Sequence, residues 1–253
     1  MRILSLLILI SACSGLSRGT PKEGKSTYAY VDAGGTYKLV RETKLLKQKI
    51  GTRIQLVDTK GSRQKVVEKS ILVSQIGSIK SGDKRLLTVR PTASEFTVWL
   101  EGKKYFSRMQ LDAKNKSMKL TLDSPEEKWK GTSLVKFPAG KYFCFYNQLP
   151  ECLYHNYLLI LSQDNPNQKF DFYLIWDAYP FIQDQLTRVG QNMFATASLK
   201  FDGENKGLFR YIVEVEGQMI LFQLTESFDL VKAAWISQGI TIAPPGQAIV
   251  EEE

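Results

Sequence analysis

The sequence predicts an all-β protein, an antiparallel meander forming a curved open sheet or a partly closed barrel with at most one or two short helices. Two observations carry this. Apolar and polar residues alternate with a period of two from Tyr28 onward, and turn-forming residues interrupt the alternation every 8 to 12 positions. In FTVWLEGKKYFSRMQL, Phe96, Val98 and Leu100 share a face, Glu101-Gly102-Lys103 turns the chain, and Tyr105, Ser107, Met109 and Leu111 alternate on the return. Met118 to Leu122 repeats the pattern after the polar turn Ala113 to Lys116. Further hairpins are Thr52 to Val57 with Lys65 to Val73, and Leu199 to Phe201 with Phe209 to Val215 around Asp202-Gly203-Glu204-Asn205. Gly217 turns the chain again into Met219 to Leu224, followed by Phe228 to Ile236. Tyr157 to Leu161 and Phe170 to Trp176, apolar at nearly every position around Asn165-Pro166-Asn167, predict a central hairpin covered on both faces. Helix signals fall on one stretch, Pro180 to Leu186, with Pro in the first turn.

The amino end has a different character. Arg2 is followed by an apolar run from Ile3 to Ile10 and then by small residues up to Cys13. This run is about half the roughly 20 apolar residues that a membrane-spanning helix needs, so it reads as an export signal. Ile10-Ser11-Ala12-Cys13, an aliphatic residue, two small residues and a cysteine, resembles the lipobox of bacterial lipoproteins. The resemblance implies cleavage between Ala12 and Cys13, acylation of the Cys13 thiol and anchoring of the chain to a membrane by its lipid. Ser14 after the cysteine resembles the default signal for outer-membrane delivery, facing the periplasm.

These features divide the chain into a signal peptide (1–12), a lipidated flexible tether (13–26), a β-rich domain (27–242) with a candidate sub-boundary near 124–130, and an exposed tail (243–253). A tether of this length spans about 20 Å, which holds the domain close to headgroups. The pattern over 28–242 is similar to that of the open half-barrels among periplasmic carriers of lipoproteins and lipids, and a pair of β-sandwich domains is the alternative architecture.

Of three cysteines, Cys13 is assigned to lipid, which leaves Cys144 and Cys152 to form a disulfide in an oxidising compartment. Their spacing does not fit the C-x-x-C arrangement of metal or redox sites. The formal net charge is +8, and loss of Arg2 with the signal leaves about +7. Such an excess suits an anionic membrane or envelope polymer. Lys38, Arg41, Lys44, Lys47, Lys49 and Arg53 are the candidates for that contact. The alternative for this cluster is a solvated strand face whose charges block edge pairing.

No catalytic constellation, metal site or cofactor motif is predicted. His155 is the single histidine, too few for a zinc site, and no G-x-S-x-G elbow or glycine-rich phosphate loop is present. The carboxylates Glu126, Glu127, Asp171 and Asp177 read as turn and surface residues. The four tryptophans read as core, with a greasy cavity as the alternative. The functional expectation is a non-enzymatic envelope lipoprotein that binds a protein partner or anionic envelope polymer, not nucleic acid. The alternative is a carrier or sensor of a lipid or other apolar ligand in a half-barrel cavity.

Overall fold

The computed structural model describes residues 23–61, 64–81, 84–140 and 142–247, so Ala12 and Cys13 lie outside the described residues. The first half of the chain is a meander of eight strands: β1 (Gly24–Asp32), β2 (Gly35–Leu46), β3 (Lys49–Asp58), β4 (Lys65–Ser81), β5 (Lys84–Leu100), β6 (Lys103–Asp112), β7 (Ser117–Asp123) and β8 (Gly131–Lys136). A short strand β9 (Phe143–Phe145) leads into two seven-residue helices, α1 (Leu149–His155) and α2 (Leu158–Asp164). Strand β10 (Phe170–Ile175) and a four-residue helix α3 (Ile182–Gln185) follow. A second meander closes the chain: β11 (Phe194–Asn205), β12 (Leu208–Val215), β13 (Gln218–Leu224), β14 (Leu230–Trp235) and β15 (Ile240–Ala243).

All fifteen strands form one open sheet in the order β8-β7-β6-β5-β4-β3-β2-β1-β15-β14-β13-β12-β11-β10-β9. Neighbours are antiparallel except β9 and β10, which are parallel. The two meanders meet at the middle, where β1 pairs β15 through Ala29, Tyr30 and Val31 only. Strand β8 pairs directly onto β7 across 124–130, so the sheet runs through that segment without a break. The free edges β8 and β9 are consecutive in the chain, and Phe137 between them packs at 5.0 Å on both Phe143 and Phe194. These rings seal the seam by packing, with no strand ladder across it.

Register follows from the alternation, because inward residues recur at every second position. Ile54, Leu72, Phe96, Met109, Leu120, Val213, Ile220 and Trp235 are all buried on the inner face. That face also carries Ser70, Ser94 and Ser107, each at most 1% exposed. Their small side chains make room for the insert between the meanders, since β9 and α1 both approach β5 within 8 Å between Cα atoms. Where the insert lies, the concavity is a filled core.

Three expectations need correction. Residues 157–161 belong to no strand: Leu158–Asp164 is helical and only the second arm of the predicted central hairpin, β10, is extended. The continuous apolar run reflects a helix wedged between β11 and the rest of the insert, a burial that periodicity does not distinguish from a two-sided strand. Pro150 occupies the first turn of α1, where its missing N–H costs nothing. Asp202 to Asn205 stay within β11, with a bulge at Asp202 and the next three residues paired to β12, and the chain reverses at Lys206-Gly207. The domain also begins earlier than 27, because Gly24, Lys25 and Ser26 already pair with β2.

The Cys144–Cys152 disulfide is present, with Cα atoms 5.6 Å apart, and ties β9 to α1. Closing a loop of this length removes unfolded-state entropy worth about 2.5 kcal/mol. Paired Cys144→Ser and Cys152→Ser substitutions should therefore lower unfolding free energy by about that amount in urea titrations. An unchanged midpoint would mean that the tie contributes nothing.

Candidate functional site

The insert is held to the first meander by amide side chains. The short turn Tyr146–Gln148 places Gln148 against the inner face, where its Nε2 donates to Thr52 Oγ1 at 2.8 Å and its Oε1 accepts from Ser74 Oγ at 2.7 Å. Asn156, just past α1, pairs with the backbone of Val89: Nδ2 donates to the carbonyl at 2.9 Å and Oδ1 accepts from the N–H at 3.3 Å. Asn147 donates from its backbone and side chain to the two oxygens of Asp177 at 3.0 and 2.8 Å. Gln148, Asn156 and Asp177 are buried and Asn147 is half-buried; an unmade bond at a buried group costs about 1 to 3 kcal/mol, so the position of the insert is strongly specified.

The insert does not fill the concavity along β1, β2 and β15. Three adjoining cavities run there and share wall residues. The first, about 280 Å³, opens beside the start of β1 and is bounded by Arg41, Glu151, His155 and the turn at Phe228. A narrow apolar neck of about 60 Å³ follows, between Tyr28, Leu39, Ile54 and Trp235. The third, about 430 Å³, lies at the opposite end between Tyr30, Leu56, Val98, Leu100 and Ile182. Arg41 and Tyr28 line both the first cavity and the neck, while Leu39, Ile54 and Tyr146 line both the neck and the third cavity.

The first opening has a sequence cause. Strand β15 has four residues against nine in β1, and Pro244-Pro245 end it because proline has no N–H to donate to a ladder. On that side, residues 24–28 of β1 have no strand partner among the described residues, and a slit is left between β1 and β14. The Tyr28 hydroxyl crosses it to donate to Leu230 O at 3.1 Å.

The structure divides the six predicted basic residues. In β2, Leu39, Arg41, Thr43 and Leu45 face the interior, opposite Leu56, Ile54, Thr52 and Ile50 of β3. Lys38 and Lys44 therefore lie on the outer face, with Lys49 and Arg53 beside them on β3 and Lys47 in the connecting turn. Arg41 faces inward, with its side chain 12% exposed and its Nη2 2.6 Å from Glu151 Oε1. It is not part of an outer patch.

Burial sets the electrostatics of this region. It raises the Tyr30 hydroxyl above the ordinary phenol range, and nearby Tyr146, Glu68 and Asp32 reinforce the shift. Burial likewise pushes the Asp177 carboxyl up to about 6, although the Asn147 bonds pull it down. Asp177 is thus a core residue, not the surface carboxylate expected from sequence. His155 ends α1, not a strand, and burial lowers it to about 4. Trp176 and Trp235 stack at 6.0 Å in the core with Tyr146 against both, whereas Trp99 lines the third cavity. The tryptophans thus divide between the two expected roles.

Among the described residues, no group of three or more His, Cys, Asp or Glu side chains is gathered as metal ligands, and no helix is long and apolar enough to cross a membrane. Gln148, Asn156 and Glu151 are the residues that sequence reasoning missed. Their one signal was their polarity within an otherwise apolar stretch. Comparison with family models, with curated proteins and with solved structures returns no match for this chain.

Two predictions follow from burial. Gln148→Leu should cost about 2 kcal/mol in urea unfolding, because Thr52 and Ser74 both lose their partner; a loss below about 0.5 kcal/mol would contradict the anchoring role. The second concerns pH. The stability linked to the raised Asp177 is full below about pH 4 and is lost as pH rises through about 6. The stability linked to the depressed His155 is present above about pH 6.5 and is lost as pH falls through about 4. The two oppose each other in acid. His155→Gln should therefore make stability between pH 7 and 4 fall less, by about 2 to 3 kcal/mol, and an unchanged pH slope would contradict this.

Proposed function

We propose that this chain is a non-enzymatic binding module of the bacterial cell envelope, anchored by lipid on Cys13, that holds an elongated and largely apolar ligand along the inner face of β1, β2 and β15. The observation that carries the reading is the unfilled groove along β1, β2 and β15. Its neck and third cavity are walled mainly by aliphatic and aromatic side chains, and the third cavity is within the range of small-molecule sites. A further cavity of about 430 Å³ lies at the seam beside Phe137 and Phe194, but it does not share walls with this groove. The groove favours the carrier or sensor reading over a purely structural module.

The outer-face lysines and arginine support a second, compatible role. Lys38 and Lys44 lie on β2, next to β1, and Lys49 and Arg53 on β3 beyond it, and their charge supports contact with an anionic membrane or polymer near the tethered end. The envelope location, most simply the outer membrane facing the periplasm, rests on the Ile10-Ser11-Ala12-Cys13 resemblance.

Protein purified from membranes should release an apolar molecule on solvent extraction, detected by mass spectrometry. The stripped protein should then take up a fluorescent acyl probe, and Leu56→Trp, which narrows the third cavity, should weaken uptake about tenfold or more. Absence of both a co-purifying molecule and probe uptake would overturn the reading. Cys13→Ser should leave the protein unprocessed or released from membranes, and unchanged fractionation of mature-length protein would overturn the lipid anchor.

A further inference from the structure

We infer that the groove selects amphiphiles with a compact anionic headgroup, which Arg41 binds in place of Glu151. The inference rests on the groove reading above and adds the charge and position of the headgroup. Arg41 lies where the wide first cavity narrows into the apolar neck and lines both. A tail directed through the neck leaves its headgroup beside this guanidinium. The slit between β1 and β14 admits the headgroup from the side, so the tail need not be threaded end-on.

The Arg41–Glu151 pair is built asymmetrically. Arg41 is 12% exposed and fixed on a strand, whereas the Glu151 side chain is 35% exposed and stands in the first turn of α1. Glu151 can swing toward water; Arg41 cannot follow. One carboxylate oxygen meets Arg41, while Glu151 Oε2 is buried without a hydrogen-bond partner among the described residues. Guanidinium offers five N–H donors in a planar fork, and a carboxylate or phosphate can take two of them in parallel. An entering anion thus replaces a half-satisfied contact with a better one and frees Glu151 to be hydrated.

The other charges around the first cavity do not duplicate Arg41. Lys25 borders the first cavity but lies opposite Glu42 in the β1–β2 ladder, on the register that faces outward. Glu23 accepts from Leu45 N at 2.7 Å, and Asp229 belongs to the turn before β14, its N–H held by Thr225 Oγ1 at 3.1 Å. Neither neck nor third cavity is lined by another lysine or arginine. On the described inner wall, the cation is therefore at one place, where tail and headgroup would divide.

The test is isothermal titration of the stripped full-length protein with dodecanoate, dodecanol and dodecyltrimethylammonium below their micellar concentrations, which share a tail and differ in headgroup. Wild type should bind dodecanoate about tenfold or more tighter than dodecanol. Arg41→Gln combined with Glu151→Gln, which removes both charges together and avoids stranding one, should erase that preference, so that dodecanoate and dodecanol bind the variant with equal affinity. Glu151→Gln alone should tighten dodecanoate binding severalfold. Equal affinity for dodecanoate and dodecanol, preference for the cationic amphiphile, or a preference that survives the double substitution would overturn the inference while leaving the groove reading intact. Failure of wild type to bind any of the three would instead overturn the groove reading, and this inference with it.

Discussion

The fold depends on where the helical insert is fastened. A fifteen-stranded open sheet has no intrinsic reason to curl to a particular radius, and its two meanders meet through only three residue pairs between β1 and β15. Gln148 and Asn156 supply the missing specification by binding β3, β4 and β5 from within. The disulfide ties β9 to α1, and α2 lies against β11 in the second meander. The insert therefore bridges both meanders on the inside. Because a buried amide without partners is costly, the sheet is held at the curvature that satisfies these bonds.

That placement also creates the site. The insert packs toward β4, β5 and β11 and leaves the strip along β1, β2 and β15 uncovered. Short β15 then opens the sheet laterally at the start of β1. Filled core and open groove thus arise from one asymmetry in the position of α1. The charge distribution follows the same division: most of the basic cluster lies outside, while Arg41 is enclosed with its carboxylate. An overall positive charge can favour approach to an anionic surface, but the inward cation is the one able to distinguish a ligand.

Much of the sheet was legible because alternation at period two reports burial on one face directly. β3 with β4, the β5-β6-β7 meander and β12 with β13 all appear where the pattern places them. The Cys144–Cys152 pairing was legible from counting. The insert was not. Leu158 to Leu161 is apolar throughout although Leu161 is exposed, so the run has no polar position to mark a helical period. The lateral opening was equally hidden, since it depends on the length difference between two strands far apart in sequence. Arg41 could be recognised as part of a basic cluster, but not as its one inward member, because that depends on the register of β2 against β3.

The insert leaves one strip of the inner face open, and on the proposed reading that strip takes the ligand. Methyl-resolved NMR of the protein with a spin-labelled dodecanoate tests it most directly. Broadening should be confined to Leu39, Ile54, Leu56 and Ile242, with Leu153, Leu174 and Leu199 unaffected. Broadening of the filled core to the same degree, or none along the strip at saturating ligand, would contradict it.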